Sequence, residues 1–223
     1  MSILKSKSVA IVGATGMVGG HLLTLLEGEV SIRKIVLLGR SFPEGEHPKV
    51  VKIKTDFQDS TLLTESLMGI DILFCCIGTT IKVAGSKEAF RKVDYSIPVA
   101  VANAGVNAGV KKFLCISSLG ADFNSRNFYL KTKGEMERDI VSLPYQKVAF
   151  VRPSLLLGHR KEFRLGERIA QFFMVLLSFL MLGSLKKYRP IRDVNVAKAM
   201  FMITNSANNQ KLYESNELAW LGK

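Results

Sequence analysis

Ser118, Tyr129 and Lys133 are the residues of this sequence whose types and spacing fit acid–base chemistry. Tyr129 and Lys133 are four residues apart, so on a helix their side chains share one face. A tyrosine is a poor acid at neutral pH because its ordinary pKa is about 10, but a neighbouring ammonium favours the phenolate. With Ser118 holding a carbonyl oxygen against it, the phenol would protonate that oxygen as a hydride reaches the carbon. The pattern predicts general acid catalysis, although Y-x-x-x-K alone is also typical of an ordinary surface helix.

A glycine-rich turn after the first predicted strand is typical of a dinucleotide site. The apolar run 8–12 predicts the strand, 21–27 predicts a helix, and Gly13, Gly16 and Gly19 lie between them. Glycines let the backbone approach a pyrophosphate, and the helix N-terminus offers free N–H groups and the positive end of its dipole. The spacing is G-x-x-G-x-x-G, and a tight turn without a ligand uses the same residues. Its position directly after the first strand favours a nucleotide site.

The end of the second predicted strand favours NADP over NAD. The run 34–38 is followed by Gly39 and Arg40, and no acidic residue is present there to bind a free ribose 2′-hydroxyl. A guanidinium suits a 2′-phosphate, although Arg40 is also what a basic surface would show. After the third predicted strand, 50–53, Asp56 and Phe57 are placed to border the adenine.

Strands and helices alternate along the whole chain. Further apolar runs predict strands over 71–77, 111–116 and 146–151, each followed by small or polar residues. This alternation predicts an α/β fold with a doubly wound parallel sheet, the Rossmann fold, with a small C-terminal substrate-pocket extension. We expect one domain over 1–223, with a cofactor-binding core in 1–153 and a lid and substrate-side extension in 154–223.

Composition limits the partners of this 223-residue chain, of which 48% is hydrophobic. The three cysteines lie in apolar runs and the three histidines are scattered, so we predict no metal site. The first apolar run is already a strand and leaves no signal peptide, which predicts a cytoplasmic protein. The net charge of +12 favours an anionic partner such as a phosphorylated cofactor, nucleic acid or lipid. The lysines are dispersed and no nucleic-acid motif accompanies them, so we expect a solvated basic surface and no nucleic-acid partner.

The apolar stretch 169–182 is hydrophobic almost all the way round a helix and must be buried. It is shorter than the roughly 20 residues that a bilayer span needs, and basic residues flank it on both sides. Two interpretations stay open. The stretch is either a substrate-pocket lid that also packs at a homodimer interface, or residues 169–185 make a peripheral membrane contact.

Five further stretches carry a resemblance that extends over nearly the whole chain: Phe-Cys-Cys-Ile-Gly-Thr-Thr from Phe74, Lys-Val-Ala-Gly from Lys82, Ser-Ser-Leu-Gly-Ala-Asp from Ser117, Asn-Phe-Tyr-Leu-Lys-Thr-Lys-Gly-Glu from Asn127 and Val-Arg-Pro-Ser-Leu-Leu-Leu from Val151. In them the sequence resembles the atypical branch of the short-chain dehydrogenase/reductase superfamily and, more closely, the Tat-interactive-protein family of oxidoreductase-like proteins. The resemblance implies an NADP(H)-dependent oxidoreductase with a small-molecule carbonyl substrate. Because the family also includes proteins known better as regulators, the alternative is a non-catalytic NADPH-binding regulatory or scaffold protein.

The resemblance also implies roles for individual residues. In that family the first turn binds phosphate, the arginine at Arg40 meets the NADP phosphate, and the arginine of an R-x-G-E stretch falls on Arg164. One departure is that only ten residues separate Ser118 from Tyr129, a shorter connection than in many relatives. With the turn and the strand ends described above, the predicted cofactor-binding residues are Gly13, Thr15, Gly16, Met17, Val18, Gly19, Arg40, Asp56, Phe57, Cys76, Gly78, Thr79, Tyr129, Lys133, Pro153, Leu156 and Arg164.

Overall fold

In the computed structural model, residues 6–158 and 183–223 are described, and a parallel sheet runs through their centre. Seven strands of these residues lie in the order β3-β2-β1-β4-β5-β6-β9. A separate parallel pair is formed by β7 and β8. The strands are β1 (Lys7–Val12), β2 (Ile32–Gly39), β3 (Val50–Lys54), β4 (Ile72–Cys75), β5 (Lys112–Ile116), β6 (Lys147–Arg152), β7 (Leu156–Leu157), β8 (Ile191–Arg192) and β9 (Leu212–Glu214).

Helices cover both faces of the sheet, which confirms the predicted doubly wound Rossmann fold. The helices of the described residues are α1 (Met17–Gly28), α2 (Ser60–Ser66), α3 (Ile81–Ala84), α4 (Lys87–Arg91), α5 (Ile97–Asn107), α6 (Phe128–Val141), α7 (Asp193–Asn205) and α8 (Ser215–Leu221). One face is packed by α1, α7 and α8, and the opposite face by α2, α5 and α6. Strands covered on both faces are apolar throughout, and β1 and β4 are buried accordingly. No helix within the described ranges is long and apolar enough to cross a membrane.

The chain reverses its direction of winding between β1 and β4, and this creates the crevice of the fold. β1 pairs with β2 on one side and with β4 on the other, with Val12 aligned to both Leu38 and Cys75. Ligands of doubly wound sheets bind at such a switch point, outside the carboxyl ends of the strands. The residues that follow β1 and β4 therefore line the expected binding edge.

The C-terminal residues complete the sheet. β9 pairs with β6, and α7 packs against α1 on one face of the core. The Ser215 hydroxyl at the start of α8 accepts the Ser154 N–H at 2.6 Å, which joins this helix to the chain after β6. Arg164 and the apolar stretch 169–182, for which we predicted a lid, interface or membrane contact, lie outside the described residues.

Candidate active site

In the glycine-rich turn, separate backbone segments lie very close to one another. Gly13 has a φ of +87°, and a Cβ added there would lie 2.8 Å from the carbonyl carbon of Cys76. A Cβ on Gly19 would lie 2.2 Å from the Gly13 carbonyl oxygen. No larger residue fits these two positions without moving the backbone, so the turn brings the ends of β1 and β4 and the start of α1 together.

The start of α1 offers its amides to a ligand. Gly16 is the N-cap, it contributes no side-chain hydrogen bond, and the first turn contains no acidic residue. The first N–H groups of a helix have no partner within the helix, and the dipole places positive charge there. The helix begins at Met17, four residues before the predicted start, so Met17, Val18 and Gly19 supply this first turn. The cradle fits the pyrophosphate of a dinucleotide.

The predicted Tyr-Lys pair lies on α6, as its spacing requires. The helix is capped by the Asn127 side chain, which accepts the Leu130 N–H at 3.1 Å. Tyr129 is half-buried, and its ring packs on Phe90 with the centroids 5.3 Å apart. Lys133 is only 2% exposed. An ammonium buried this deeply needs a partner.

Asp94 is that partner, and sequence reasoning did not find it. One of its carboxylate oxygens lies 2.7 Å from Lys133 Nζ, and the other accepts the Thr79 N–H at 2.9 Å. Lys133 Nζ also donates to the Ile116 carbonyl at 3.4 Å. Burial lowers the pKa of Lys133 and is the largest single influence on it, but the charge and the hydrogen bond of Asp94, together with the neighbouring Tyr129 and Cys115, outweigh burial and raise that pKa above its ordinary value. Lys133 is therefore held as an ammonium between the ends of β4 and β5.

The backbone explains why Asp94 was missed. The Ala- and Val-rich sequence of 94–107 is typical of one regular helix, which would place Asp94 at an ordinary helix start. Instead, a π-helical turn over Lys92–Ser96 joins α4 to α5 and leaves the Asp94 side chain fully buried. A π turn changes the direction in which the following side chains point and occurs often at functional sites. The available signal was an acidic residue between the apolar Val93 and Ile97.

Two serines follow β5. The Ser117 N–H donates to the Val151 carbonyl at 2.8 Å, and the Leu119 N–H donates to the Pro153 carbonyl at 3.0 Å. Ser118 lies between them, is half-buried, and its hydroxyl donates to the Leu119 carbonyl at 3.4 Å, which is long for a hydroxyl donor. Ser117 is 4% exposed, and its hydroxyl has no partner among the described residues. The structure thus presents a second serine beside the predicted one.

The remaining predicted cofactor residues follow the ends of β1 to β4 and β6. Arg40 is exposed directly after β2, and Asp56 is exposed after β3. Phe57 is 7% exposed and packs in the core, with an unusual φ of +69° and its N–H bonded to the Thr55 hydroxyl at 3.0 Å. The other predicted residues of these strand ends, Thr15, Cys76, Gly78, Thr79, Pro153 and Leu156, all lie in the segments that follow β1, β4 and β6. Across residues 6–158 and 183–223 no group of three His, Cys, Asp or Glu residues has the arrangement of a metal site.

Sequence comparison places this chain among nucleotide-binding proteins. The profile of the family described as NAD(P)H-binding matches residues 13–162. Protein HTATIP2 of Rattus norvegicus is 32% identical over 99% of this chain and 91% of its own length. Protein FMP52, mitochondrial, of Candida albicans is 38% identical over 74% of each chain. The corresponding fmp52 protein of Aspergillus niger is 32% identical over 96% of this chain and 94% of its own length.

Structure comparison finds the same fold in nucleotide-bound proteins. MoeE5 in complex with UDP-glucose and NAD superposes with a TM-score of 0.69, at 17% identity, over 96% of this chain and 80% of its own. A short-chain dehydrogenase/reductase from Veillonella parvula in complex with NADP superposes with a TM-score of 0.62, at 15% identity, over 91% and 89%. At these identities the likeness concerns the fold.

The predicted cytoplasmic location is wrong. The fungal relatives, including those of Scheffersomyces stipitis and Emericella nidulans, carry names that call them mitochondrial proteins. The start of the sequence misled us because the absence of a secretory signal peptide does not distinguish the cytoplasm from other compartments inside the cell.

Proposed function

Because this chain belongs to the NAD(P)H-binding family, with HTATIP2-like atypical short-chain dehydrogenases/reductases as its relatives, we propose that it is an NADP(H)-dependent oxidoreductase that reduces a carbonyl group. One observation carries the proposal: Lys133 is held as an ammonium one helical turn from Tyr129 at the edge of the sheet where the glycine-rich turn lies. A buried ammonium beside a tyrosine suits proton transfer, because the positive charge stabilises the phenolate that the transfer leaves.

The residues present fit NADP(H). The cradle of Gly13 and Gly19, which a Cβ would fill, suits the pyrophosphate, and the exposed Arg40 suits the 2′-phosphate. We assign Asp56 to the adenine and Gly78, Thr79, Pro153 and Leu156 to the nicotinamide half, because these residues follow the ends of β3, β4 and β6. When bound, NADPH supplies the hydride.

Tyr129 acts in this proposal as the general acid. Its phenol donates a proton to the carbonyl oxygen, and the Ser118 hydroxyl donates a hydrogen bond to the same oxygen. An ammonium has three N–H donors, and the Asp94 carboxylate and the Ile116 carbonyl account for two of those of Lys133. The third is available to a ribose hydroxyl or to the Tyr129 oxygen. Asp94 thus aims Lys133 and keeps it charged.

The test is a panel of carbonyl and quinone compounds assayed with NADPH. We expect turnover by the natural chain, its loss in Tyr129→Phe, and an unchanged affinity for NADPH in that variant, measured by fluorescence titration. Because Tyr95 lies on the π turn and is hydrogen-bonded to Asp139 at 2.7 Å, away from Lys133, Tyr95→Phe is a matched control that should keep turnover. Turnover retained by Tyr129→Phe would contradict the assignment of the general acid.

A non-catalytic NADPH-binding regulator is the second candidate. It is favoured by the Asp94–Lys133 pair, because the carboxylate offsets much of the electrostatic effect of the ammonium on the phenol. Absence of turnover across the whole panel, together with tight NADPH binding, would select this candidate.

For either function we propose that the extension after Pro153 closes the substrate side of the crevice. We also propose that the protein is a homodimer, and size-exclusion chromatography with light scattering would test this oligomeric state.

We infer a mitochondrial location from the names of the FMP52 relatives. Fractionation of cells that express the tagged chain should place it with mitochondrial markers, and recovery in another fraction would refute this inference.

A further inference from the structure

We propose that the buried ion pair between Glu137 and Arg152 is a positioning device, which holds the Ser118 turn in place against the helix that carries Tyr129 and Lys133. This inference rests on the proposed function. It assigns a role to two residues that touch neither the cofactor cradle nor the proposed substrate position. They act through the groups that do.

Glu137 continues the functional face of α6. Tyr129, Lys133 and Glu137 are spaced by four residues each, so they follow one another along the same side of the helix. Glu137 is 6% exposed. Its two oxygens receive two hydrogen bonds from Arg152, one from Nε at 2.9 Å and a shorter one from a terminal guanidinium nitrogen. A two-pronged pair of this kind fixes orientation as well as distance.

Arg152 lies opposite the Ser118 turn. It is the last residue of β6, and its two chain neighbours are the acceptors that hold the turn. Val151 accepts the N–H of Ser117, and Pro153 accepts the N–H of Leu119. The residues on either side of Arg152 are thus bonded to the residues on either side of Ser118. A shift of Arg152 would be passed directly to that turn.

Other contacts of α6 lead to other elements. Lys133 ties the helix to Asp94 in the π turn and, through a longer bond of 3.4 Å, to the Ile116 carbonyl at the end of β5. Gly134 packs on the backbone of Asp122 in the loop that precedes α6, where a Cβ would come within 2.2 Å. Of the described ion pairs of α6, the one with Arg152 joins the helix to β6. Charged pairs as buried as this one are weak sources of stability compared with apolar residues, whereas they constrain geometry.

The experiment compares Glu137→Gln with Arg138→Gln. Arg138 is the adjacent helix residue, forms an exposed pair with Asp139, and serves as the matched control. For Glu137→Gln we expect faster hydrogen exchange of the Leu119 amide, by about tenfold or more, with exchange in β1 and α1 unchanged. We also expect kcat to fall by about tenfold to a hundredfold, because small misplacements of catalytic groups have effects of this size. The KM for NADPH should stay within about twofold, since the phosphate cradle is built by the turn before α1 and contains neither Glu137 nor Arg152.

A second pair of variants keeps the test valid if Glu137→Gln does not fold. The double variant Glu137→Met/Arg152→Met replaces the charges by apolar side chains of similar length and should keep the fold while losing the orientation. Arg152→Lys keeps the charge without the two-pronged geometry and should recover part of kcat over the double variant.

Three outcomes decide the matter. Selective loosening of Leu119 with a fall in kcat supports the positioning role. Unchanged exchange at Leu119, or faster exchange spread equally over the whole sheet, overturns it and leaves a pair that only stabilises the fold. If the natural chain turns over no compound, the proposed enzymatic function fails, and the exchange of Leu119 alone decides whether the pair holds the turn.

Discussion

The phosphate turn and the Tyr129–Lys133 cluster are built in opposite ways. The turn is formed by backbone groups that approach closely because its glycines carry no side chains. Its contacts join residues that are close in sequence or that lie at the neighbouring ends of β1 and β4. The cluster uses buried charged side chains whose partners come from distant segments, as Lys133 and Asp94 do. One region is therefore sensitive to added volume and the other to removed charge. The five predictions below test that contrast.

The largest effect is expected from Asp94→Asn. This substitution leaves a buried ammonium without its counter-charge and should destabilise the fold by about 3–5 kcal/mol at neutral pH. Thermal unfolding measured by circular dichroism would show it. The exposed Asp56→Asn is the control and should change the stability little.

The Lys133–Asp94 pair also predicts that the stabilities of the natural chain and of Asp94→Asn depend on pH in opposite directions. In the natural chain the pKa of Lys133 lies above its ordinary value of 10.5. The contribution of the Lys133–Asp94 pair to the stability of the fold is therefore complete below about pH 10.5 and is lost as the pH rises further. In Asp94→Asn the counter-charge is gone while burial, the largest influence, still lowers the pKa of Lys133, so the stability should recover as the pH rises toward 10.5. Parallel pH profiles for the two proteins would refute the pairing as the source of the Lys133 charge.

The next largest effect is expected from removing the hydroxyl of Ser118, which should lower turnover. Ser118→Ala should reduce kcat by about a hundredfold or more, as expected for the loss of one donor to a developing oxyanion. Ser117→Ala should have a smaller effect if its unpartnered hydroxyl faces no substrate. The two kcat values, measured at saturating NADPH, decide between the serines, and a larger loss in Ser117→Ala would reverse the assignment.

Added volume in the phosphate turn should weaken cofactor binding. Gly19→Ala would bring a Cβ within 2.2 Å of a carbonyl oxygen and should raise the Kd for NADPH by about a hundredfold, because the cradle must open to accept the methyl group. Gly28→Ala is the control, since a Cβ there meets nothing within 4 Å. Equal affinities of the two variants would show that the turn does not hold the phosphates.

The smallest effect is expected at Arg40. Arg40→Ala should weaken NADPH binding by about tenfold and leave NADH binding nearly unchanged, because only NADPH carries the 2′-phosphate that the guanidinium would meet. Lys34→Ala, at an exposed position of β2, controls for the loss of a positive charge. A similar loss for both cofactors would refute the proposed basis of the NADP preference.

The same contrast explains which features could be predicted from the sequence. The glycine spacing, the β-branched strands and the alternation of strands with helices are local patterns, and they predicted the sheet correctly. The glycine turn follows the first strand as expected, and its binding of phosphate stays a prediction. Asp94 and the Glu137–Arg152 pair were missed because their meaning depends on partners that only the folded chain brings together. The last strand, β9, was missed because three residues carry no periodicity.

The burial of the Lys133–Asp94 pair has a consequence for ionic strength. At 0.1 M, dissolved salt screens the interaction between exposed charges that are more than about 10 Å apart. It does not enter a site where both side chains are almost fully covered. If Arg40 captures the 2′-phosphate as proposed, salt should weaken that capture while leaving the Lys133–Asp94 pair unaffected. The surrounding electrolyte would then act on cofactor binding and not on the buried charge that the proposed proton transfer uses.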